Sequence, residues 1–262
     1  MSKKYFVVSD IHSCYDALIK ALNEKGFDKD NKAHILIVDG DIFDRGNKPI
    51  AVFKFLMSLN KDNLILIRGN HEDLFIDLSM RYPSYIDGCN GTYKTFVSIA
   101  KSIVNKNPSY YSYVDFNNWD DILDLVLNSP IYKFIIDSNN FKNYVELGDI
   151  IIIHGSLPHT FNIEKLTDEE IWSSSRWDYA YLDCDNAYFK NAFDNGKKII
   201  CGHCGTKRIR NDLNLMYNEE DAHSILKLCN DKLYCIDGNA FYSNHLNVLV
   251  IEEVDNKYII CE

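Results

Sequence analysis

The sequence is poor in the features that would set it apart from ordinary globular proteins. No uninterrupted apolar run approaches the roughly 18 residues of a membrane-spanning helix, so no membrane partner is expected. It has no internal repeat, no low-complexity tract and no linker-like segment, and only 5 prolines and 12 glycines are spread over 262 residues. One α/β domain over residues 1–262 is the expectation. Basic residues are in deficit, 28 Lys and Arg against 38 Asp and Glu, which gives a net charge of −10. A surface of that sign disfavours stable nucleic-acid binding. After Met1–Lys4 the apolar stretch at 5–8 is too brief for a signal-peptide core, so a cytoplasmic location is expected.

Cysteine is not scarce, but its spacing forms no framework. The eight residues at 14, 89, 184, 201, 204, 229, 235 and 261 are scattered, and reduced thiols are the reading. Cys201 and Cys204 have C-x-x-C spacing without a second such pair to complete a structural zinc site. They read as small buried residues flanking something else.

What is present is a series of short apolar runs, each ending in chemistry-bearing residues. Residues 5–8 lead to Asp10-Ile11-His12, and 34–38 lead to Gly40-Asp41-Ile42-Phe43-Asp44-Arg45-Gly46. Residues 64–67 lead to Arg68-Gly69-Asn70-His71-Glu72, 150–153 to His154, and 199–201 to Gly202-His203. Runs of that length bounded by Gly or Asp read as buried strands. Helical spacing lies between them, at Ala17, Leu18, Ala21 and Leu22, and at Ile50, Phe53, Leu56 and Met57. Alternating strands and helices imply parallel pairing, with the site at the carboxyl ends of the strands. Residues 80–145 carry helical spacing around Ile122, Leu125 and Val126 and read as a helical insertion. The alternating tail at 232–260 reads as closing antiparallel strands.

A mixed Asp, His and Asn set suits divalent cations of intermediate hardness, and a carboxylate can bridge two of them where an imidazole cannot. Each motif alone is weak, since a strand-end Asp is usually a turn residue. In order, they resemble the phosphoprotein-phosphatase branch of the metallophosphoesterase family, whose pattern is D-x-H-G, G-D-x-x-D-R-G, G-N-H-E, then a strand-end His and a later G-H. The match runs on to Ile236-Asp237-Gly238-Asn239-Ala240-Phe241-Tyr242, which is similar to the family's late I-D-x-G-A-x-Y segment. Ser13 stands where the family has glycine, and Cys204-Gly205 where many members have Thr-Pro.

The resemblance implies a calcineurin-like metallophosphoesterase fold, a central β-sandwich flanked by helices. It implies two divalent metal ions, manganese first, with iron or zinc as alternatives. Asp10, His12 and Asp41 would hold one metal, and Asp41, Asn70, His154 and His203 the other. A metal-bound hydroxide would be the nucleophile, His71 the general acid and Asp44 its partner. Arg45, Arg68 and Arg176 would bind the substrate phosphate. The implied function is a protein serine/threonine phosphatase acting on phosphorylated protein or small phosphoesters. The alternatives are a symmetrical diadenosine tetraphosphate hydrolase, whose D-x-H-G-C-Y-D start is matched at Cys14-Tyr15-Asp16, and an enzyme acting on RNA ends. A non-catalytic scaffold is the reading from another class, and the full set of motif residues argues against it.

Overall fold

The computed structural model describes residues 2–157, 168–183 and 187–261. Two five-stranded sheets stack face to face. The first has the order β10-β9-β1-β2-β3, from β1 (Lys4–Ser9), β2 (His34–Asp39), β3 (Leu64–Ile67), β9 (Leu249–Val254) and β10 (Lys257–Cys261). The second has the order β4-β5-β6-β8-β7, from β4 (Val145–Leu147), β5 (Ile150–Ile152), β6 (Lys198–Cys201), β7 (Leu226–Leu228) and β8 (Leu233–Cys235).

The strands read as continuous apolar runs because both faces of each sheet are covered. Tyr5, Val7, Ile35 and Ile37 face inward and meet Ile150, Ile152 and Ile200 of the other sheet. Their alternates Phe6, Val8, Leu36 and Val38 face outward against helices. On the far side, Ile151, Ile199 and Leu233 are covered by Phe189 and Phe193. Fully burying one such Leu, Ile or Phe side chain contributes about 2 kcal/mol of transfer free energy.

The helices are α1 (Tyr15–Glu24), α2 (Pro49–Met57), α3 (Asn70–Leu78), α4 (Tyr85–Asn90), α5 (Thr92–Val104), α6 (Trp119–Leu127), α7 (Pro130–Ile136), α8 (Asp168–Trp177), α9 (Ala187–Asp194), α10 (Thr206–Asp212) and α11 (Ala240–Ser243). Helix α1 buries the four residues its spacing selects. In α2 the fully buried residues are Pro49, Val52 and Leu56, with Ile50 and Phe53 packed half-buried against the core, while Met57 is 46% exposed. Helices α4 to α7 occupy the 80–145 segment, with Phe96, Ile99 and Ile122 packed against the outer face of the first sheet.

The tail departs from expectation. Strands β9 and β10 pair antiparallel in the first sheet, but β8 runs parallel to β6 in the second. The chain leaves β6 through α10 and returns by β7, whose hairpin with β8 restores the direction of β6. The thiol reading is also corrected at one position. Cys14, Cys89, Cys201, Cys204, Cys235 and Cys261 are free, but Cys229 is disulfide-bonded. Such a bond needs only that two sulfurs meet across loops, which sequence spacing does not reveal. Among the described residues no helix is long and apolar enough to cross a membrane.

Candidate metal centre

Strands β1, β2 and β3 run parallel, as do β5, β6 and β8, so their carboxyl ends collect at one edge of the sandwich. The loops that follow are bent sharply. Asp10, His12, Ser13, Asp41, Asp44, Arg45 and His203 all have positive φ, between 45° and 69°. Each such residue costs about 1 kcal/mol, and it persists only where its surroundings over-determine it. Here the first two loops are laced together: His12 N donates to Asp41 O at 2.9 Å, Ser13 N to Ile42 O at 2.9 Å and Gly46 N to His12 O at 3.0 Å. Gly40, at φ +75°, must lack a side chain, because a Cβ there would run into the His154 ring.

The bends bring together Asp10, His12, Asp41, Asn70, His154 and His203, with His71, Asp44 and Arg45 beside them. Two groups offer converging ligand atoms within 4.8 Å, namely His12, Asp41 and His71, and Asp41, His154 and His203. Asp41 belongs to both. Its Oδ2 lies 3.6 Å from His12 Nε2 and 3.8 Å from His71 Nε2, while its Oδ1 lies 3.3 Å from His154 Nε2. Asp10 Oδ1 is 3.8 Å from His12 Nε2, and Asp10 Oδ2 accepts the His203 N–H at 2.9 Å. The Asn70 amide sits 3.1 Å from His203 Nδ1 and 3.3 Å from His154 Nε2.

The outer partners decide which imidazole nitrogen faces inward. His12 Nδ1 is 3.0 Å from the Phe43 carbonyl, and His154 Nδ1 is 2.8 Å from that of Asp39. A carbonyl only accepts, so both Nδ1 atoms carry hydrogen and both Nε2 atoms face the centre. A bond to the Trp177 backbone and stacking on Tyr179, with ring centres 5.1 Å apart, fix the His203 ring. Burial pushes His203 down to about 4 and His12 well below the usual range, which keeps both neutral, the form a cation binds. His154 goes the other way. Burial lowers it, but the Asp41 carboxylate against its Nε2 outweighs that, so proton and cation compete for one position.

Burial raises Asp10 to about 6, and the Asp41 charge adds to the rise. Carboxylates, imidazoles and an amide thus converge in a buried cleft, and this donor set fits divalent cations. The sequence expectation of two metals fits the shared Asp41.

His71 is in the first ligand group through its Nε2, and its Nδ1 lies 2.8 Å from Asp44 Oδ2. Burial lowers its pKa, but the Asp41 charge and the Asp44 bond more than compensate and raise it overall. Arg45 reaches His12 Nε2 at 2.8 Å and His71 Nε2 at 3.0 Å. The other two arginines are placed differently. Arg68 Nε pairs with Asp73 Oδ1 at 2.8 Å, and Arg176 Nε with Asp73 Oδ2 at 3.1 Å. Arg176 also donates to Asn143 Oδ1 at 3.0 Å, is 4% exposed, and is lowered by burial to about 10.

Glu72 had no role in the sequence reading. Its carboxylate accepts the backbone N–H groups of Asp41, Ile42 and Gly69 at 3.1, 2.9 and 2.9 Å. The signal was available, since a Glu three residues beyond a strand-end glycine is a capping-box position.

The sequence profile described as calcineurin-like phosphoesterase matches residues 3–248. Over 86 residues the chain is 36% identical to serine/threonine-protein phosphatase 1 of Salmonella typhimurium, covering 33% of this chain and 38% of the relative. Over 67 residues it is 34% identical to the symmetrical bis(5'-nucleosyl)-tetraphosphatase of Buchnera aphidicola subsp. Baizongia pistaciae, covering 26% of this chain and 23% of the relative. The match therefore spans well under two thirds of either relative. In fold, the chain is similar to the cold-active protein-tyrosine phosphatase of a psychrophilic Shewanella, with a TM-score of 0.62 at 18% identity over 99% of this chain and 80% of that one. With a profile match over nearly its whole length and this sandwich beneath the site, the chain belongs to the calcineurin-like phosphoesterase family.

Proposed function

We propose that this protein is a metal-dependent phosphomonoester hydrolase whose substrates are phosphoserine and phosphothreonine in proteins. The observation that carries the reading is the sharing of Asp41 between two groups of inward-facing ligand atoms. In this reading Asp10, His12 and Asp41 hold one divalent cation, and Asp41, Asn70, His154 and His203 hold a second. Manganese is the first choice for these donors, with iron or zinc as alternatives. Bound there, the cations neutralise phosphate oxygens and acidify a neighbouring water.

The rest of the chemistry belongs to the side chains. Asp44 holds the His71 ring by Nδ1 and leaves Nε2 turned toward the ligand group, where it can give a proton to the departing oxygen. Arg45 has the planar fork that matches two phosphate oxygens, and its guanidinium already lies against the same cleft. Arg68 and Arg176, paired with Asp73, are the further arginines of this reading for the substrate phosphate.

The His71–Asp44 pair supports the substrate class. A serine or threonine alkoxide is a poor leaving group that needs protonation, whereas a phosphoanhydride releases a phosphate already stable as an anion. The second reading, cleavage of a dinucleoside tetraphosphate, is supported by the likeness to the Buchnera tetraphosphatase. The test is hydrolysis by metal-stripped protein reloaded with Mn, comparing a phosphoserine peptide with diadenosine tetraphosphate. Faster release of phosphate from the peptide is expected. Preference for the dinucleotide would overturn the substrate class and leave the ligand set standing.

A further inference from the structure

One oxygen of Asp44 carries two hydrogen bonds. His71 Nδ1 lies 2.8 Å from Oδ2, and Thr92 Oγ1 donates to the same Oδ2 at 2.7 Å. Asp44 and Thr92 are both fully buried, and Asp44 Oδ1 has no hydrogen-bond partner. The orientation of this carboxylate therefore rests on Oδ2 alone.

Thr92 opens α5, in the segment that the sequence marks only as an insertion. The same turn grips the next residue of the catalytic loop. Lys94 Nζ donates to the Arg45 carbonyl at 2.9 Å. Gly91, at φ +82°, lies so close to the Arg45 backbone that a Cβ there would collide with it. The insertion thus meets the Asp44–Arg45 loop through Gly91, Thr92 and Lys94 of one helix start.

We propose that Thr92 is a positioning residue for leaving-group protonation, acting through Asp44 on His71. The proposal rests on the reading of His71 as the acid. A carboxylate oxygen accepts, so Oδ2 takes the Thr92 hydroxyl hydrogen and the His71 Nδ1 hydrogen as its two donors. The terminal torsion of Asp is broad and roughly two-fold, and two donors converging from different elements narrow it. Without Thr92 the carboxylate can turn, and His71 Nε2 loses its fixed aim at the departing oxygen.

Thr92→Val keeps the shape and removes the donor, while Thr92→Ser keeps the donor. With Mn-loaded protein, Thr92→Val is expected to lower kcat on a phosphoserine peptide about tenfold, the kinetic equivalent of one hydrogen bond, with little change in KM. On p-nitrophenyl phosphate, whose leaving group needs no proton, kcat should stay within about twofold, since general acid catalysis contributes little there. Thr92→Ser should restore the peptide rate. Equal losses on both substrates, or no loss on the peptide, would overturn the proposal.

His71→Asn measured alongside separates the two ideas. If it loses peptide activity selectively while Thr92→Val does not, the positioning role fails and the acid remains. If His71→Asn shows no leaving-group dependence, the acid reading fails and takes this proposal with it. Should Thr92→Val not fold, Thr92→Ala gives the same comparison without the branched methyls, and the same outcomes decide.

Discussion

Glu72 holds Asp41 from behind: its Oε2 accepts the Asp41 backbone N–H at 3.1 Å while also accepting Gly69 N–H at 2.9 Å. The other oxygen takes Ile42 N–H at 2.9 Å, so a single carboxylate fastens the loop carrying Asp41 to the start of the helix carrying Asn70 and His71. Asp41 can sit at φ +53° because both of its neighbours in space are fixed in this way.

Glu72→Ala should therefore weaken both the fold and the centre. It strands three buried donors, each costing about 1 kcal/mol or more, for a total loss of about 3 kcal/mol. It also releases the strained turn at Asp41, so Mn affinity falls. Glu72→Gln keeps one acceptor oxygen and should lie between wild type and Ala. Denaturant unfolding gives the first quantity, and calorimetric titration with Mn gives the second. Unchanged Mn affinity in Glu72→Ala would separate the capping role from the ligand role of Asp41.

The shared carboxylate makes a second prediction about stoichiometry. Substituting an outer ligand should cost one cation at most, as with His12→Ala on one side or His203→Ala on the other. Asp41→Asn should cost both, because an amide carries no charge to hold two cations side by side. Metal analysis of gel-filtered protein counts the ions per chain. Two ions retained by Asp41→Asn would sink the bridge.

Much of this was legible in the sequence because the polar residues follow directly on apolar runs. A reader who sees Asp10-Ile11-His12 or Gly40 to Gly46 after a buried strand already knows which sheet edge they share. Local spacing could not reveal what depends on remote segments. Asp73, Asn143 and Arg176 lie in three separate stretches, yet they form one polar cluster with Arg68. Thr92 meets Asp44 across 48 positions. The direction of β8 likewise follows from where α10 lets the chain return, and its own alternation is the same in either direction. In α2 the spacing marked the helix, while only packing decides that Val52 is buried and Met57 is exposed.

The last prediction concerns how the start of α5 is kept in place. The preceding helix, α4, is pinned by Asp87, whose carboxylate takes Arg81 Nη1 and Nη2 at 2.8 Å each and also accepts from Ser84. The Arg81 bonds hold the Asp87 pKa well below the usual carboxylate range, against the opposing effect of burial. A depressed folded-state pKa means that the stabilisation is complete above the unfolded value of about 4 and fades as pH falls below it. Arg81 is 37% exposed, so solvent screening limits the contribution to about 1–2 kcal/mol. Thermal unfolding of wild type and Asp87→Asn should differ by a constant amount between pH 5 and 7, a range set about the unfolded carboxyl value. The gap should narrow as pH falls from about 4 toward about 2, because protonation of the unfolded carboxyl group removes the advantage of the ionised folded pair. A gap that stays constant down to that pH would mean that Asp87 contributes only through uncharged hydrogen bonds. Because Gly91 and Thr92 follow directly from α4, the same variant at neutral pH should also show a reduced peptide rate. That reduction would tie the Arg81–Asp87 pair of the insertion to the aim of His71.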